Sequence, residues 1–164
     1  MESKEILSGS KLIAEFLGFV YIPFSPNLKE LKPGWYETRS AEPNIKNTVV
    51  GDKELNLDIN LLLYHNKNGW KLFEGKYYRF ICRNHGELRF WNSLDALVPV
   101  IQKIEKELNV EIWINSNGAE HTDFADKNWK TKICQSYDSN LQLSNNVFIV
   151  VVETLKHLEK YWNI

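Results

Sequence analysis

Apolar residues recur at helical spacing in three parts of the chain, and the clearest part lies between Ser93 and Leu108. There the apolar side chains form one stripe while polar side chains face away, as in a helix that covers a core. Ser93 suits the N-cap of this helix, and Pro99 predicts a bend or a later start because it lacks a backbone donor. The stripe consists of Leu94, Leu97, Val98, Ile101, Ile104 and Leu108.

The same spacing predicts a helix near each end of the chain. Ser8 or Ser10 can cap the first helix, and Gly18 suits the position after its end. Ser144 or Asn145 can cap the last helix. The apolar side chains of that helix are Val147, Val151, Leu155, Leu158 and Trp162.

Stretches rich in aromatic and β-branched residues predict strands on both sides of the central helix. Residues 77–83 are expected to form a strand, 84–86 a turn and 87–91 the returning strand, and a strand at 110–114 follows the helix. This order gives a central ββαβ unit. Further strands are predicted at residues 19–24, 58–64, 69–73 and 129–137. The sequence therefore predicts an α+β fold, with an antiparallel sheet of four to six strands packed by two or three helices.

The length of 164 residues suits a single domain that spans residues 1–164. Four of the five prolines lie between residues 23 and 43, so we expect a proline-rich, irregular insertion at about residues 23–55. Long irregular segments in compact domains are often binding loops. This insertion is therefore one place to expect function.

Charges almost cancel, with 20 Lys and Arg against 21 Asp and Glu and a net charge of -1. A protein that neutralises many phosphates needs a basic surface, so a nucleic-acid partner is not favoured, although a local basic patch stays open. No apolar run reaches the roughly 18 residues of a membrane span, and the first residues lack a signal-peptide pattern. We expect a cytoplasmic protein without a membrane partner, in which Cys82 and Cys134 are buried thiols.

Cys82 and His85 have the spacing of half a zinc site, which His121 and Cys134 could complete. No second pair at that spacing accompanies them, and strand alternation need not direct Cys82 toward a turn residue such as His85. A buried thiol and an exposed turn imidazole explain both residues without a metal. We therefore predict no metal ion and no cofactor.

Residues 120–126 gather groups that could perform acid–base chemistry near neutral pH. His121, Asp123 and Asp126 are the candidates, and a small hydrolase-like enzyme is the alternative that they support. The chain lacks the recognised nucleophile, zinc-protease, phosphate-loop and calcium-loop motifs, and loops also collect solvated charges. We therefore predict no catalytic residue.

Three of the four arginines lie in the predicted hairpin at residues 77–91. Strand alternation places Arg79 and Arg83 on one face, and Arg89 and Trp91 join that face across the hairpin if the register permits. Guanidinium groups beside aromatic rings can bind an acidic partner protein, a small anionic ligand or stacked bases. A solvated sheet face is the competing interpretation. We predict that these four residues form the binding surface.

Two segments, Gly9–Phe19 and Arg83–Leu97, resemble small proteins encoded by phages and prophages of Bacteroidetes. The sequence Asn92-Ser93-Leu94-Asp95-Ala96, followed by a helix and a strand, is also similar to the phage ABA sandwich domain. The resemblance implies layers made of an early helix, an antiparallel sheet and later helices. It covers about half of the chain, leaves out residues 26–61 and implies no catalytic residue.

The sequence thus favours a non-catalytic binding module of phage or prophage type. The first alternative is the hydrolase-like enzyme that uses His121, Asp123 and Asp126. The second is a self-associating structural protein, a homodimer whose exposed tryptophans form a symmetric patch.

Overall fold

The computed structural model describes residues 2–24, 31–40, 69–73, 76–122 and 132–159. Their elements follow in this order: α1 (Ser3–Phe16), β1 (Val20–Ile22), β2 (Gly34–Ser40), β3 (Trp70–Phe73), β4 (Lys76–Cys82), α2 (Leu94–Leu108), β5 (Glu111–Asn115), β6 (Gly118–Thr122), β7 (Lys132–Ser136) and α3 (Leu143–His157). Two short 3-10 turns, His85–Glu87 and Arg89–Asn92, precede α2. Every strand pairing is antiparallel, which confirms the predicted α+β class.

Contacts between residues divide the chain into two units. The first unit contains the described residues of Met1–Leu17 and Asn84–Ile164, and the second contains those of Gly18–Arg83. The first unit has a three-stranded sheet in the order β5-β6-β7, and the second has a four-stranded sheet in the order β1-β2-β4-β3. The expectation of a single domain over residues 1–164 stays a prediction. Within the described ranges, no helix is both long and apolar enough to cross a membrane.

Helix α3 lies at the centre of the first unit, where it contacts α1, α2 and the three-stranded sheet. Its side chains are buried on more than one face, as expected of a helix surrounded by other elements. Gly9 of α1 approaches Phe148 and Val152 on one face, while Val150 and Thr154 meet Cys134 of β7 on another. The fully or nearly buried residues of α3 are Ser144, Asn146, Val147, Phe148, Val150, Val151, Val152, Thr154 and Leu155.

The side chain of Asn146 connects the start of α3 by hydrogen bonds to the end of β7 and to the backbone that follows it. Its Oδ1 accepts hydrogen bonds from Ser136 Oγ at 2.7 Å and from the Asp138 backbone N–H at 3.2 Å. Its Nδ2 donates to the Asp138 carbonyl oxygen at 3.0 Å. Because Asn146 is only 1% exposed, these bonds satisfy polar groups that water cannot reach.

The four-stranded sheet of the second unit has a small aromatic and aliphatic cluster on one face. Ile22, Leu31 and Tyr36 are buried there, and Phe73 and Tyr78 pack against them. Cross-strand aromatic pairs of this kind stabilise antiparallel sheets. The opposite face of the sheet bears the charged residues that are described below.

The structure confirms the helix after Ser93, whose hydroxyl accepts a hydrogen bond from the Ala96 N–H at 3.3 Å, and Pro99 lies inside it. The helix near the amino end begins at Ser3 with Glu2 as its N-cap, so the predicted start at Ser8 or Ser10 is wrong. A reciprocal pair of contacts between Glu2 and Glu5 makes this earlier start favourable.

Two strand predictions also need correction. Residues 87–91 form 3-10 turns and not a strand, so the predicted hairpin does not exist in the structure. Residues 34–40, which were expected to belong to an irregular insertion at 23–55, form β2 between two neighbouring strands. The predicted strand at 58–64 and the parts of that insertion at 25–30 and 41–55 lie outside the described residues.

Gly118 is a position that only glycine fits, because β6 and β7 approach each other closely there. A Cβ atom at this residue would lie 2.0 Å from the Ser136 carbonyl oxygen and 2.7 Å from Tyr137 Cδ1. The backbone of β7 must move to make room. We expect Gly118→Ala to lower the free energy of unfolding by about 2–3 kcal/mol, measured by urea denaturation.

The matched control for this substitution is Gly86→Ala. A Cβ atom there would lie 3.3 Å from Asn84 Oδ1 and 3.5 Å from Leu7 Cδ2, and residue 86 is exposed. The control should change the free energy of unfolding by less than about 0.5 kcal/mol. An equal loss in both variants would contradict the importance of the close approach between β6 and β7.

Candidate functional site

Two arginines lie on one buried tryptophan ring on the charged face of the four-stranded sheet. Arg79 of β4 is directly opposite both Glu37 of β2 and Trp70 of β3, so all three side chains project from the same face. Arg39 lies two residues after Glu37 and therefore on that face too. Its Cζ is 4.5 Å from the Trp70 ring centroid, and Arg79 Cζ is 5.1 Å from it. We call Arg39 and Arg79 the guanidinium pair.

Glu37 shares its single carboxylate between the two arginines. One carboxylate oxygen accepts a short hydrogen bond from Arg79, and the other accepts one from Arg39 Nη2 at 3.5 Å. The Trp70 residue is 3% exposed, whereas the side chains of Arg39 and Arg79 are 56% and 48% exposed. The guanidinium pair thus has one positive charge more than Glu37 neutralises, and it presents that charge to solvent.

The four residues that were predicted to form one binding surface belong to different elements of the structure. Arg79 belongs to the guanidinium pair, and Arg83 is exposed just after the end of β4. Arg89 and Trp91 lie in the second 3-10 turn, within the first unit. Asn145 of α3 anchors this turn by donating a hydrogen bond to the Trp91 carbonyl oxygen at 2.6 Å. The register that would bring Arg89 and Trp91 onto the face of β4 is therefore not formed, because β4 pairs with β2 and β3.

Sequence reasoning missed Arg39, Glu37 and Trp70 as members of a site. Arg39 is the one arginine outside the predicted hairpin, and it lies in the stretch that was expected to be irregular. Trp70 lies in the strand that was predicted at residues 69–73. The available signal was the spacing of Glu37 and Arg39, which places two charged side chains on one face of a strand but does not show which strands pair with it.

His121 lies in a strand and not in a loop. It occupies β6, is 0% exposed, and its ring centroid is 6.3 Å from that of His157. A group that contacts substrate must be reachable from solvent, which the imidazole in this structure is not. Asp123 and Asp126, the other members of the predicted acid–base cluster, lie outside the described residues.

Cys134 is directly opposite His121 on β7 and packs against α3. Its Sγ lies 3.7 Å from the Val150 carbonyl oxygen and 3.7 Å from Thr154 Oγ1. Burial raises the pKa of the Cys134 thiol above its usual value, and this outweighs the hydrogen bonds that favour the thiolate. A thiol with a raised pKa is a poor nucleophile at neutral pH.

The described parts of the chain contain no group of three or more His, Cys, Asp and Glu side chains arranged to bind a metal ion. The residues considered for zinc are distributed between the two units. Cys82 belongs to the second unit, and His85, His121 and Cys134 belong to the first.

A groove of about 360 Å³ lies between α1 and α3 in the first unit, above Phe148 and Val152. Its rim includes Glu5 and Glu153, and both carboxylates already have partners. Glu5 Oε2 accepts a hydrogen bond from the Glu2 backbone N–H at 3.0 Å, and Glu153 pairs with Lys156 at 2.7 Å. These contacts stabilise the ends of the two helices.

The candidate site therefore consists of the guanidinium pair, Glu37 and Trp70. Guanidinium groups supply positive charge and several donors in a fixed plane, which suits the binding of an anion.

Comparisons of this chain with protein-family models, with curated protein sequences and with solved structures each find no match.

Proposed function

We propose that this protein is a non-catalytic binding module whose guanidinium pair contacts acidic side chains of a partner protein. The observation that supports this proposal is the excess of guanidinium over carboxylate among the described residues on one face of the four-stranded sheet. The Trp70 ring packs against both guanidinium groups, so the arginine side chains lose less conformational entropy when they bind the partner. The carboxylate of an incoming Asp or Glu can then accept two hydrogen bonds from the fork of one guanidinium group.

An acidic protein segment fits this face better than a nucleic acid does. A nucleic-acid surface neutralises many phosphates, whereas the guanidinium pair has an excess of one charge and the whole chain has a net charge of -1. Arg83, Arg89 and Trp91 remain predicted as further residues that contact the partner. We also propose a phage or prophage origin and a cytoplasmic location, and the origin rests on the resemblance of Gly9–Phe19 and Arg83–Leu97.

Charge reversal on this face tests the proposal directly. We expect Arg39→Glu to weaken the binding of a fluorescein-labelled hexaglutamate peptide by about tenfold, because a repulsive charge replaces an attractive one. Fluorescence anisotropy at about 0.1 M salt measures the affinity, since charges more than about 10 Å apart are largely screened under that condition. The thermal midpoint should change by no more than about 4 °C, because the ion pair of Arg39 with Glu37 and its contact with the Trp70 ring are both made by a side chain that is 56% exposed.

Lys71→Glu is the matched control, since it makes the same charge change on the same sheet. Lys71 is exposed on β3 opposite Tyr78, so it projects from the other face. This variant should alter hexaglutamate binding by less than about twofold. Equal losses in the two variants would refute the proposed surface, and binding of oligothymidylate in preference to hexaglutamate would favour a nucleic-acid partner instead.

Glu37→Gln should change stability and binding in opposite directions. The substitution removes the carboxylate that the two arginines share, so we expect the free energy of unfolding to fall by about 1 kcal/mol or less. The local excess charge rises from one to two, and hexaglutamate should bind about threefold to tenfold more tightly. Urea denaturation and the same anisotropy assay measure the two effects.

Glu15→Gln provides the comparison for that variant, because it removes a carboxylate from the Lys11–Glu15 ion pair of α1, where the two charged atoms are 3.6 Å apart. The net charge of the chain changes equally in both variants. If Glu15→Gln increases the affinity for hexaglutamate as much as Glu37→Gln does, the overall charge and not the guanidinium pair controls binding.

A further inference from the structure

The groove between α1 and α3 has an apolar floor that the packing of the two helices holds in place. Phe148 and Val152 form this floor and are nearly buried, while Leu141 and Ile149 are partly exposed beside them. Gly9 lets α1 approach this closely, because a Cβ there would lie 2.7 Å from Phe148 Cζ and 2.8 Å from Val152 Cγ2. Since tightly packed side chains resist rearrangement, the floor should keep its shape when a ligand binds.

Carboxylates outnumber cations on the rim of this groove. Three acidic residues, Glu5, Asp138 and Glu153, line the groove together with one lysine, Lys156, so the rim has an excess of two negative charges. Like charges gathered around one groove repel each other and oppose the compact state. Fold stability alone therefore does not account for this excess.

Each of the three acidic side chains has one oxygen that accepts no hydrogen bond from the described residues. Glu5 Oε2 accepts the backbone N–H of the N-cap residue of α1, which leaves Oε1. Asp138 Oδ1 accepts both hydrogen bonds from Asn140, which leaves Oδ2. Glu153 Oε1 is the oxygen of its ion pair within α3, which leaves Oε2. Each carboxylate can therefore accept a further donor without losing its present contact.

We infer that this groove binds a basic segment of a partner protein, whose apolar side chains lie over Phe148 and Val152 and whose flanking lysines or arginines pair with the rim carboxylates. The charge of the rim selects this occupant. An acidic segment would meet like charges, and a purely apolar segment would cover carboxylates without pairing them.

The size of the groove and its place in the chain define the inference further. A volume of about 360 Å³ is near the lower end of the ~300–1,000 Å³ typical of ligand pockets, so a few side chains enter the groove and not a whole helix. The groove belongs to the first unit and selects positive charge, whereas the guanidinium pair belongs to the second unit and selects negative charge. The inference therefore stands or falls independently of the proposed function.

The test follows the δ1-methyl signal of Ile149 by NMR in the full chain, with the signal assigned by its disappearance in Ile149→Val. The probe is the blocked tetrapeptide Lys-Leu-Leu-Lys, titrated at about 0.1 M salt, where distant charges are screened. Two matched peptides separate the contributions, since Glu-Leu-Leu-Glu reverses the charge and Lys-Ser-Ser-Lys removes the apolar side chains. We expect a saturable shift with the probe and affinities at least about tenfold lower for the two matched peptides.

Neutralising two rim carboxylates should weaken the binding of the probe about threefold to tenfold. The double variant Glu5→Gln with Asp138→Asn removes two charges, while each amide oxygen can still accept the hydrogen bonds of the carboxylate that it replaces. The control is Glu15→Gln with Glu107→Gln, which changes the net charge equally in ion pairs of α1 and α2 that do not line the groove. The control should alter the affinity by less than about twofold, and a thermal melt of each variant excludes unfolding as the cause.

Four results would overturn the inference. Equal affinities for the probe and Glu-Leu-Leu-Glu would mean that the rim does not select charge, and equal affinities for the probe and Lys-Ser-Ser-Lys would mean that the floor contributes nothing. Shifts that depend on protein concentration without any peptide would mean that a second copy of the chain fills the groove. No shift with the probe in the wild-type protein would mean that the groove binds no basic segment, and this result does not depend on any variant folding.

Discussion

The packing of α3 is the constraint on which the first unit depends. A helix that meets α1 on one face and the sheet on another cannot rotate or slide without exposing apolar side chains on both. Gly9 allows α1 to approach Phe148 and Val152, and Asn146 ties the start of α3 to the end of β7. The same packing buries His121 completely and half-buries Cys134 opposite it, so both side chains contribute to the packing between the sheet and α3.

The position of α3 also determines what the outer face of the sheet presents. Because Asn146 directs the backbone after Ser136, Tyr137 can turn its ring across Gly118 and reach Glu120. The buried Asn146 amide therefore helps to position the hydrogen bond between Tyr137 and Glu120 on the outer face. The geometry of this pair follows from the close approach of β6 and β7.

Local patterns in the sequence predicted α2, α3 and β4 because each depends on neighbouring residues. The strand predicted at residues 87–91 is wrong, because the backbone there forms 3-10 turns. Leu88 and Phe90 are buried and Arg89 is exposed, so burial nevertheless alternates as it does in a strand. Asn84 initiates the first of these turns by accepting a hydrogen bond from the Glu87 N–H at 3.2 Å. Alternation alone does not distinguish these backbones, and capping by a short polar side chain decides between them.

The guanidinium pair could not be predicted from local patterns alone. The contact between Glu37 and Arg79 joins residues that are 42 positions apart, and only the register of β2 against β4 brings them together. Local spacing therefore identified a stretch rich in arginine. It could not predict which residues those arginines contact, since these contacts depend on which strands pair.

Burial separates the roles of Trp70 and Trp113. Trp70 is 3% exposed, so its own packing contributes to stability and the arginines gain a rigid support. Trp113 is 58% exposed, and a single exposed apolar side chain needs no explanation by itself. Exposure alone therefore assigns no binding role to Trp113, whereas the burial of Trp70 explains how two arginine side chains can be held on one ring.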